Sequence, residues 1–180
     1  MVGVAFGDGN LSNPNGRAIR LRISCDTKYP NLIKKISDSL SILFPENKVN
    51  VVQRKDHCLD ISCYSNKLEG YLGWSANLGP KHKQNLSVPN WIKVRKKYTI
   101  LCLRGLFETD GSVYKDRTYI MVNFVTIIPG LANDVIKMIK DLGFIPNLQT
   151  YIQKSGTTKH TIRISKNASG FIKMVGIEKS

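Results

Sequence analysis

Acidic side chains are scarce in this chain of 180 residues: 13 Asp and Glu stand against 27 Lys and Arg, a formal net charge of +14. Cysteine and histidine are scarce too. The four cysteines (Cys25, Cys58, Cys63, Cys102) show no CxxC spacing and the chain has only three histidines. A zinc site is therefore not expected, the cluster His57, Cys58 and Cys63 included, and reduced thiols in the core are. Long apolar runs are missing, since none approaches the ~18 residues of a membrane span. The first residues lack the basic-then-apolar layout of a signal peptide. The expectation is an intracellular protein, in cytoplasm, nucleoid or organelle matrix, and not a secreted one.

What is present is positive charge spread along the chain. Residues 1–90 hold 12 basic and 7 acidic side chains and residues 91–180 hold 15 and 6, so both halves are basic. A globular protein with this balance is expected to meet a polyanion, with nucleic acid the first candidate. A membrane surface is the weaker alternative, because no helix pairs a lysine face with an aromatic one.

The chain also repeats itself. Val2–Ser12 lies over Arg104–Tyr114, Tyr29–Leu40 over Ile128–Ile139, and Ile61–Trp74 over Ile164–Ile177 without a gap. Three blocks in one order indicate a tandem duplication. Each copy reads as α-β-β-α-β-β-α, so the fold class is α+β. The copies are expected at 1–74 and 98–180, with a Gly-, Pro-, Ser- and Asn-rich linker at 75–97. Asp8 and Asp110 become equivalent positions, 102 residues apart.

The strands alternate. Leu21, Ile23 and Cys25 lie between Arg20, Arg22 and Ser24, and Ile162 and Ile164 lie between Thr161, Arg163 and Ser165. Asn147, Gln149, Tyr151 and Gln153 share another face. Apart from Asp60 these polar faces carry few carboxylates, and Arg, Gln and Asn are side chains that read base edges. A strand of about eight residues spans roughly 26 Å, which covers about 8 base pairs of duplex.

The stretch Leu101–Asp116 carries an internal Gly105, at a helical cost of about 1 kcal/mol, and a carboxylate, Asp110, at the helix end where carboxylates are least at home. In each copy a glycine precedes the aspartate by five residues: Gly3 before Asp8, Gly105 before Asp110. Gly3 and Gly7, like Gly105 and Thr109, share one helix face and form a small-residue stripe on which two helices can approach closely. Paired there, the helices would bring Asp8 and Asp110 together. Two carboxylates in a basic surface call for divalent cations, with oxygen ligands suited to magnesium, and such ions assist phosphodiester hydrolysis.

Leu103–Gly111 (LRGLFETDG) closely resembles the LAGLIDADG motif, and Met1–Gly9 (MVGVAFGDG) is similar to a diverged first copy. The whole layout resembles a single-chain, two-motif LAGLIDADG homing endonuclease. The resemblance implies two halves around paired motif helices and two antiparallel sheets forming a DNA-binding saddle. It implies a monomer with internal pseudo-two-fold symmetry that cuts both strands of a long asymmetric DNA target with Mg2+, Mn2+ or Ca2+ being able to occupy the same site, leaving 3′ overhangs, as in intron homing. Asp8 and Asp110 would ligate metal beside the backbone of Gly7 and Thr109. Lys81 or Lys83, and Lys179, would be the assisting basic residues. DNA-facing positions carried over are Asn10, Ser12, Arg20 and Arg22, then Ser112, Tyr114, Tyr119, Met121 and Asn123. Ser24, Arg163 and the Asn147–Gln153 face extend this surface, with Arg17, Arg54 and Arg117 as further basic contacts. Two alternatives share the scaffold: a maturase acting on group I intron RNA, and a non-cutting DNA-binding regulator. Two departures stand out. Phe6 replaces the acid found at Glu108, and the first motif begins at Met1, so either its start is trimmed or this half tolerates a shortened helix.

Overall fold

The computed structural model describes residues 1–84 and 86–178; of the candidate residues, Lys179 lies outside them. The chain divides into two compact units, the first ending at Gln84. In the first, α1 (Val2–Asp8) leads into β1 (Gly9–Ser12) and β2 (Arg20–Asp26), then α2 (Pro30–Leu43), β3 (Val49–Gln53), β4 (Cys58–Tyr64) and α3 (Leu68–Leu72). The second opens with α4 (Asn90–Lys93) and repeats the order as α5 (Lys96–Thr109), β5 (Gly111–Asp116), β6 (Tyr119–Thr126), α6 (Pro129–Asp141), β7 (Asn147–Ile152), β8 (Thr158–Ile164) and α7 (Ala168–Val175). The sheets are antiparallel with matching strand orders, β1-β2-β4-β3 and β5-β6-β8-β7. Proline stands at the first turn of both α2 and α6, where its missing N–H has no helical acceptor to lose. Among the described residues no helix is long and apolar enough to cross a membrane.

Alternation does what it predicts. In β2, Leu21, Ile23 and Cys25 are buried while their neighbours are half-buried, and β4 follows the same pattern through Leu59, Ile61 and Cys63. Amphipathic helices cover the apolar face. The core of the first unit gathers Phe6, Ile36, Leu40 and Leu68 around those strands, and Trp74 stacks at 5.4 Å on Phe6. In the second, Phe107 meets Phe124 at 5.6 Å and Phe171 at 5.2 Å, and Phe144 meets Phe171 at 5.2 Å. Burying each such ring stabilises by about 1.5–3 kcal/mol before entropy is charged against it.

Strand pairing corrects the gapless repeat alignment. Gly9 faces Ile23, which faces Ile61; Gly111 faces Phe124, which faces Ile162. Ile61 is therefore equivalent to Ile162, two residues before the expected Ile164. The closing helices do match as aligned: Leu68 and Phe171 are buried, and Gly73 and Gly176 end α3 and α7 with φ of 78° and 72°. The two extra residues fall at the start of α7, which is longer than α3.

The stretch 75–97, expected as a linker, is largely irregular among its described residues but packs at its second part. Its Gly, Pro and Ser dictate an irregular backbone but leave its apolar residues free to bury. Leu86, Val88 and Ile92 are buried, α4 lies within it, and Lys96 already begins α5. Asp134 of α6 anchors it. One carboxylate oxygen accepts from the Ser87 hydroxyl at 2.6 Å and the Val88 N–H at 2.7 Å, and the other from Lys93 at 2.8 Å. Replacing Asp134 by Ala strands three donors, and Asp134→Ala is expected to lower stability by about 2 kcal/mol in urea denaturation.

All four cysteines are free thiols, with Cys25, Cys63 and Cys102 buried and Cys58 half-buried. Burial pushes the Cys25 thiol up to about 11, with the Asp8 carboxylate adding to the shift, and pushes Cys102 up to about 12. The folded state thus keeps these protons when the unfolded chain, near the ordinary value of 9.0, releases them. Stability is expected to fall as pH rises from about 9 towards 11. Below pH 9, a thiol-reactive dye should label Cys58 first and reach Cys25 and Cys102 only on unfolding.

Candidate functional site

Both acids stand where a motif helix hands over to a strand. Asp8 is the last residue of α1 and Asp110 the C-cap of α5, and both are exposed. The next residue, Gly9 or Gly111, opens the first strand of its sheet and is buried. The glycine is not there for its backbone angles, since Gly9 is extended at φ −80° and ψ 145°. It is there for space. A Cβ on Gly9 would lie 2.7 Å from the Ala5 Cα, and one on Gly111 2.7 Å from the Phe107 Cα, with the carbonyl oxygens of Ala5 and Phe107 nearer still. The strand folds back so closely over the helix's last turn that only glycine fits. As a result each acid sits at the root of a polar sheet face, two residues before its first polar side chain, Asn10 or Ser112.

Those faces follow from the register, because directly opposed residues share a face. In the first sheet Asn10 opposes Arg22 and Ser12 opposes Arg20; Arg22 in turn opposes Ser62, and Ser24 opposes Asp60. In the second, Ser112 opposes Asn123, Tyr114 opposes Met121, and Arg163 lies between Asn123 and Asn147. Gln149 opposes Thr161 and Tyr151 opposes Lys159. Gln153 falls just past β7, in the turn where its N–H bonds Thr157. Arg17 lies in the β1–β2 loop, and Arg54 just past β3. Arg117 sits in the β5–β6 turn with a φ of 56°.

Several of these side chains are held in place. Arg20 donates to the Ser12 hydroxyl at 3.2 Å, Ser24 to Asp60 at 2.6 Å, Asn123 to the Tyr114 hydroxyl at 3.2 Å, and Arg163 to Asn123 at 3.4 Å. Asp60 is the acid at the centre of the first face, 3.9 Å from Arg22 and 3.7 Å from Arg54. Residues that also share these faces, beyond those expected from the sequence, are Asn50, Ser62 and Lys159. Ser62 was legible in the alternation of β4. Asn50 was not, because β3 is half-buried or exposed throughout and has no apolar rhythm.

The residues around the motifs have separable roles. Glu108 is buried 3.8 Å from Arg104, whose Nε donates to the Gly176 carbonyl at 2.5 Å. The matching Phe6 packs on Trp74. In the first unit that position meets the closing segment directly, through the tilted Phe6–Trp74 ring contact; in the second Glu108 pairs within α5 with Arg104, and it is Arg104 that reaches the closing segment at Gly176. Gly3 and Gly105 are buried, and the Thr109 hydroxyl donates to the Gly105 carbonyl at 2.9 Å and to that of Leu106 at 3.0 Å. Of the two lysines after α3, Lys83 is exposed, while the Lys81 ammonium donates to the Phe6 carbonyl at 2.6 Å and also to that of Gly7. A carboxylate beside helix-end carbonyls is an all-oxygen donor set, and a cationic group already drawn to it shows that the end of α1 attracts positive charge. Among the described residues no three His, Cys, Asp or Glu side chains gather into a metal-holding group. Any ion at these helix ends would complete its shell with backbone, water or phosphate oxygens.

Residues 98–176 match the family described as LAGLIDADG-like domain. Among solved structures, the chain is similar to I-DmoI in complex with DNA and Mn, at 22% identity and a TM-score of 0.68, covering 99% of this chain and 93% of that one. It is similar to I-DmoI variants described as homing endonucleases, at 19% identity and a TM-score of 0.68, covering 95% and 83%. The N-terminal LAGLIDADG domain of DUF199/WhiA also matches, at 15% identity and a TM-score of 0.59, covering 99% and 81%. No curated protein sequence matches. At these identities the shared property is the fold.

The close turn makes a stability prediction. Gly9→Ala and Gly111→Ala should each cost about 1–3 kcal/mol by forcing the strand off the helix. Gly70→Ala, where an added Cβ meets nothing within 4 Å, should be neutral or gain up to about 1 kcal/mol. Denaturant midpoints of the three variants decide it.

Proposed function

From a chain whose second repeat is a LAGLIDADG-like domain and whose whole length takes the two-motif LAGLIDADG fold, we propose a metal-dependent endonuclease that recognises a long asymmetric DNA duplex and cuts both strands, leaving 3′ overhangs. The observation that carries this reading is the repeated junction: in both units an exposed acid stands two residues before a polar sheet face, the two faces being built of Arg, Asn, Gln, Ser and Tyr. A surface of that composition positions a duplex by its phosphates and reads its base edges. The structures of I-DmoI with DNA and Mn and with DNA and Ca support duplex DNA and a divalent ion as the partners.

Each residue has a role in this reading. Asp8 and Asp110 hold a divalent ion, with the Gly7 and Thr109 carbonyls as neighbouring donors. When bound, the ion supplies a polarised water and charge neutralisation at the phosphodiester; magnesium is the expected physiological choice. Arg20, Arg22 and Arg163 neutralise phosphates or pair with guanine, while Asn123, Asn147 and Gln149 suit adenine edges. The cross-strand bonds to Arg20 and Arg163 reduce the conformational entropy lost on binding.

The test begins with duplexes recovered from a randomised pool by binding in Ca2+, then challenged with Mg2+ and sequenced at their ends. Discrete cuts with 3′ overhangs at one long site are expected. Asp8→Asn and Asp110→Asn should each keep binding while slowing cleavage by at least about a hundredfold. Arg22→Gln should weaken binding and lessen its salt dependence by about one phosphate contact. Tight binding of one site without cutting in Mg2+ or Mn2+ would overturn the nuclease assignment in favour of a regulator or an intron-RNA maturase.

A further inference from the structure

The ten-residue loop after α3 is built to deliver one charge. Glu69 accepts from the Ser75 hydroxyl at 2.9 Å and the Ala76 N–H at 2.6 Å, closing the start of the loop onto α3. Gln84 closes its end, accepting from the Ser75 N–H at 2.9 Å while donating to the carbonyls of Ser75 at 2.8 Å and Gly79 at 2.7 Å. Between these clamps lies the 3-10 turn Lys81–Lys83. From it the Lys81 ammonium reaches the carbonyls of Phe6 and Gly7, with that of Ala5 at 3.5 Å. These belong to the last turn of α1, where carbonyls run out of helical partners and the helix dipole concentrates negative charge. α1 has no basic residue in its own last turn; Lys81 brings one from more than 70 positions along the chain.

We propose that Lys81 is a tethered cation holding the carbonyl end of α1, so that a divalent ion at the first repeat binds by displacing it. This rests on the reading of Asp8 and the Gly7 carbonyl as ion ligands. A metal on the Gly7 carbonyl would have to share that oxygen with the Lys81 ammonium already bonded to it. Two like charges at one helix end also repel. Lys81 thus keeps the end of α1 neutralised in the metal-free protein and sets a threshold for ion entry. Lys81 is here a positioning residue.

The inference is tested on the full chain in an Asp110→Asn background, which isolates the first repeat. Mn2+ binding is read from the free-ion electron paramagnetic resonance signal for the parent, Lys81→Met, Lys81→Gln and Asp8→Asn. Removing the ammonium should tighten the Asp8-dependent site roughly threefold to tenfold, the range a charge at a helix end commands. An unchanged or weaker site that still needs Asp8 would overturn the displacement while leaving the ion-ligand reading intact. Mn2+ binding that Asp8→Asn does not reduce would overturn the ion-ligand reading itself. A measurement on the unsubstituted protein decides the case where the variants fold poorly. Reductive methylation of Lys81, followed by mass spectrometry, should speed up as Mn2+ saturates. A rate indifferent to Mn2+ would refute the proposal.

Discussion

The close fold-back of a strand over the last turn of its own motif helix governs how each repeat is built. At Gly9 and at Gly111 the chain leaves the helix, passes over the backbone of the residue four positions earlier, and begins a sheet. Had the chain instead left by a left-handed glycine, as it does after α3 and α7, the acid would face away from the strand. The extended exit places Asp8 and Asp110 beside a polar face in one step. Because the requirement is steric, it fixes residue 9 and residue 111 to glycine whatever the rest of the motif does.

The two sheets then show how a basic surface can be ordered by its own cross-strand contacts. Arginine is long and costly to immobilise, so an unsupported arginine face would lose much of its contact energy to entropy. Here Ser12, Asn123 and Asp60 hold three of the arginines by cross-strand bonds or ion pairs. Asp26 and Asp116 stand at strand ends of these faces, whereas Asp60 lies among Ser24, Arg22 and Arg54, which explains an acid at that place. It orients donors and moderates local charge in a way a fully basic face could not.

The repeats share a plan but not their chemistry. Position 6 is a phenylalanine against Trp74 while position 108 is a glutamate against Arg104. Phe6 reaches the closing segment of its own unit directly by dispersion and burial, whereas Glu108 pairs within α5 with Arg104, which donates to the Gly176 carbonyl. α1 is a seven-residue helix whose end is capped by Lys81 from a distant loop, whereas α5 runs for 14 residues and turns its Thr109 hydroxyl onto its own carbonyls. A duplicated fold tolerates such divergence because the constraint at each position is a contact to be made, and several side chains make it.

The amino-acid sequence by itself determined the duplication, the order of elements, the apolar and polar faces of β2, β4 and β8, and the two acid-glycine junctions. These depend on local periodicity and on residues whose backbone demands are strong, so they survive in one dimension. Tertiary structure decided the rest. Strand pairing, set by hydrogen bonds between distant segments, moved the equivalent of Ile61 from Ile164 to Ile162 and placed Asn50 on the polar face. Burial and the bonds of Asp134 to Ser87, Val88 and Lys93 fastened the later part of the expected linker to α6. Only the folded loop after α3 distinguished Lys81 from Lys83, two residues apart and chemically identical, because which ammonium meets the α1 carbonyls depends on where a turn is clamped and not on which residue carries the charge.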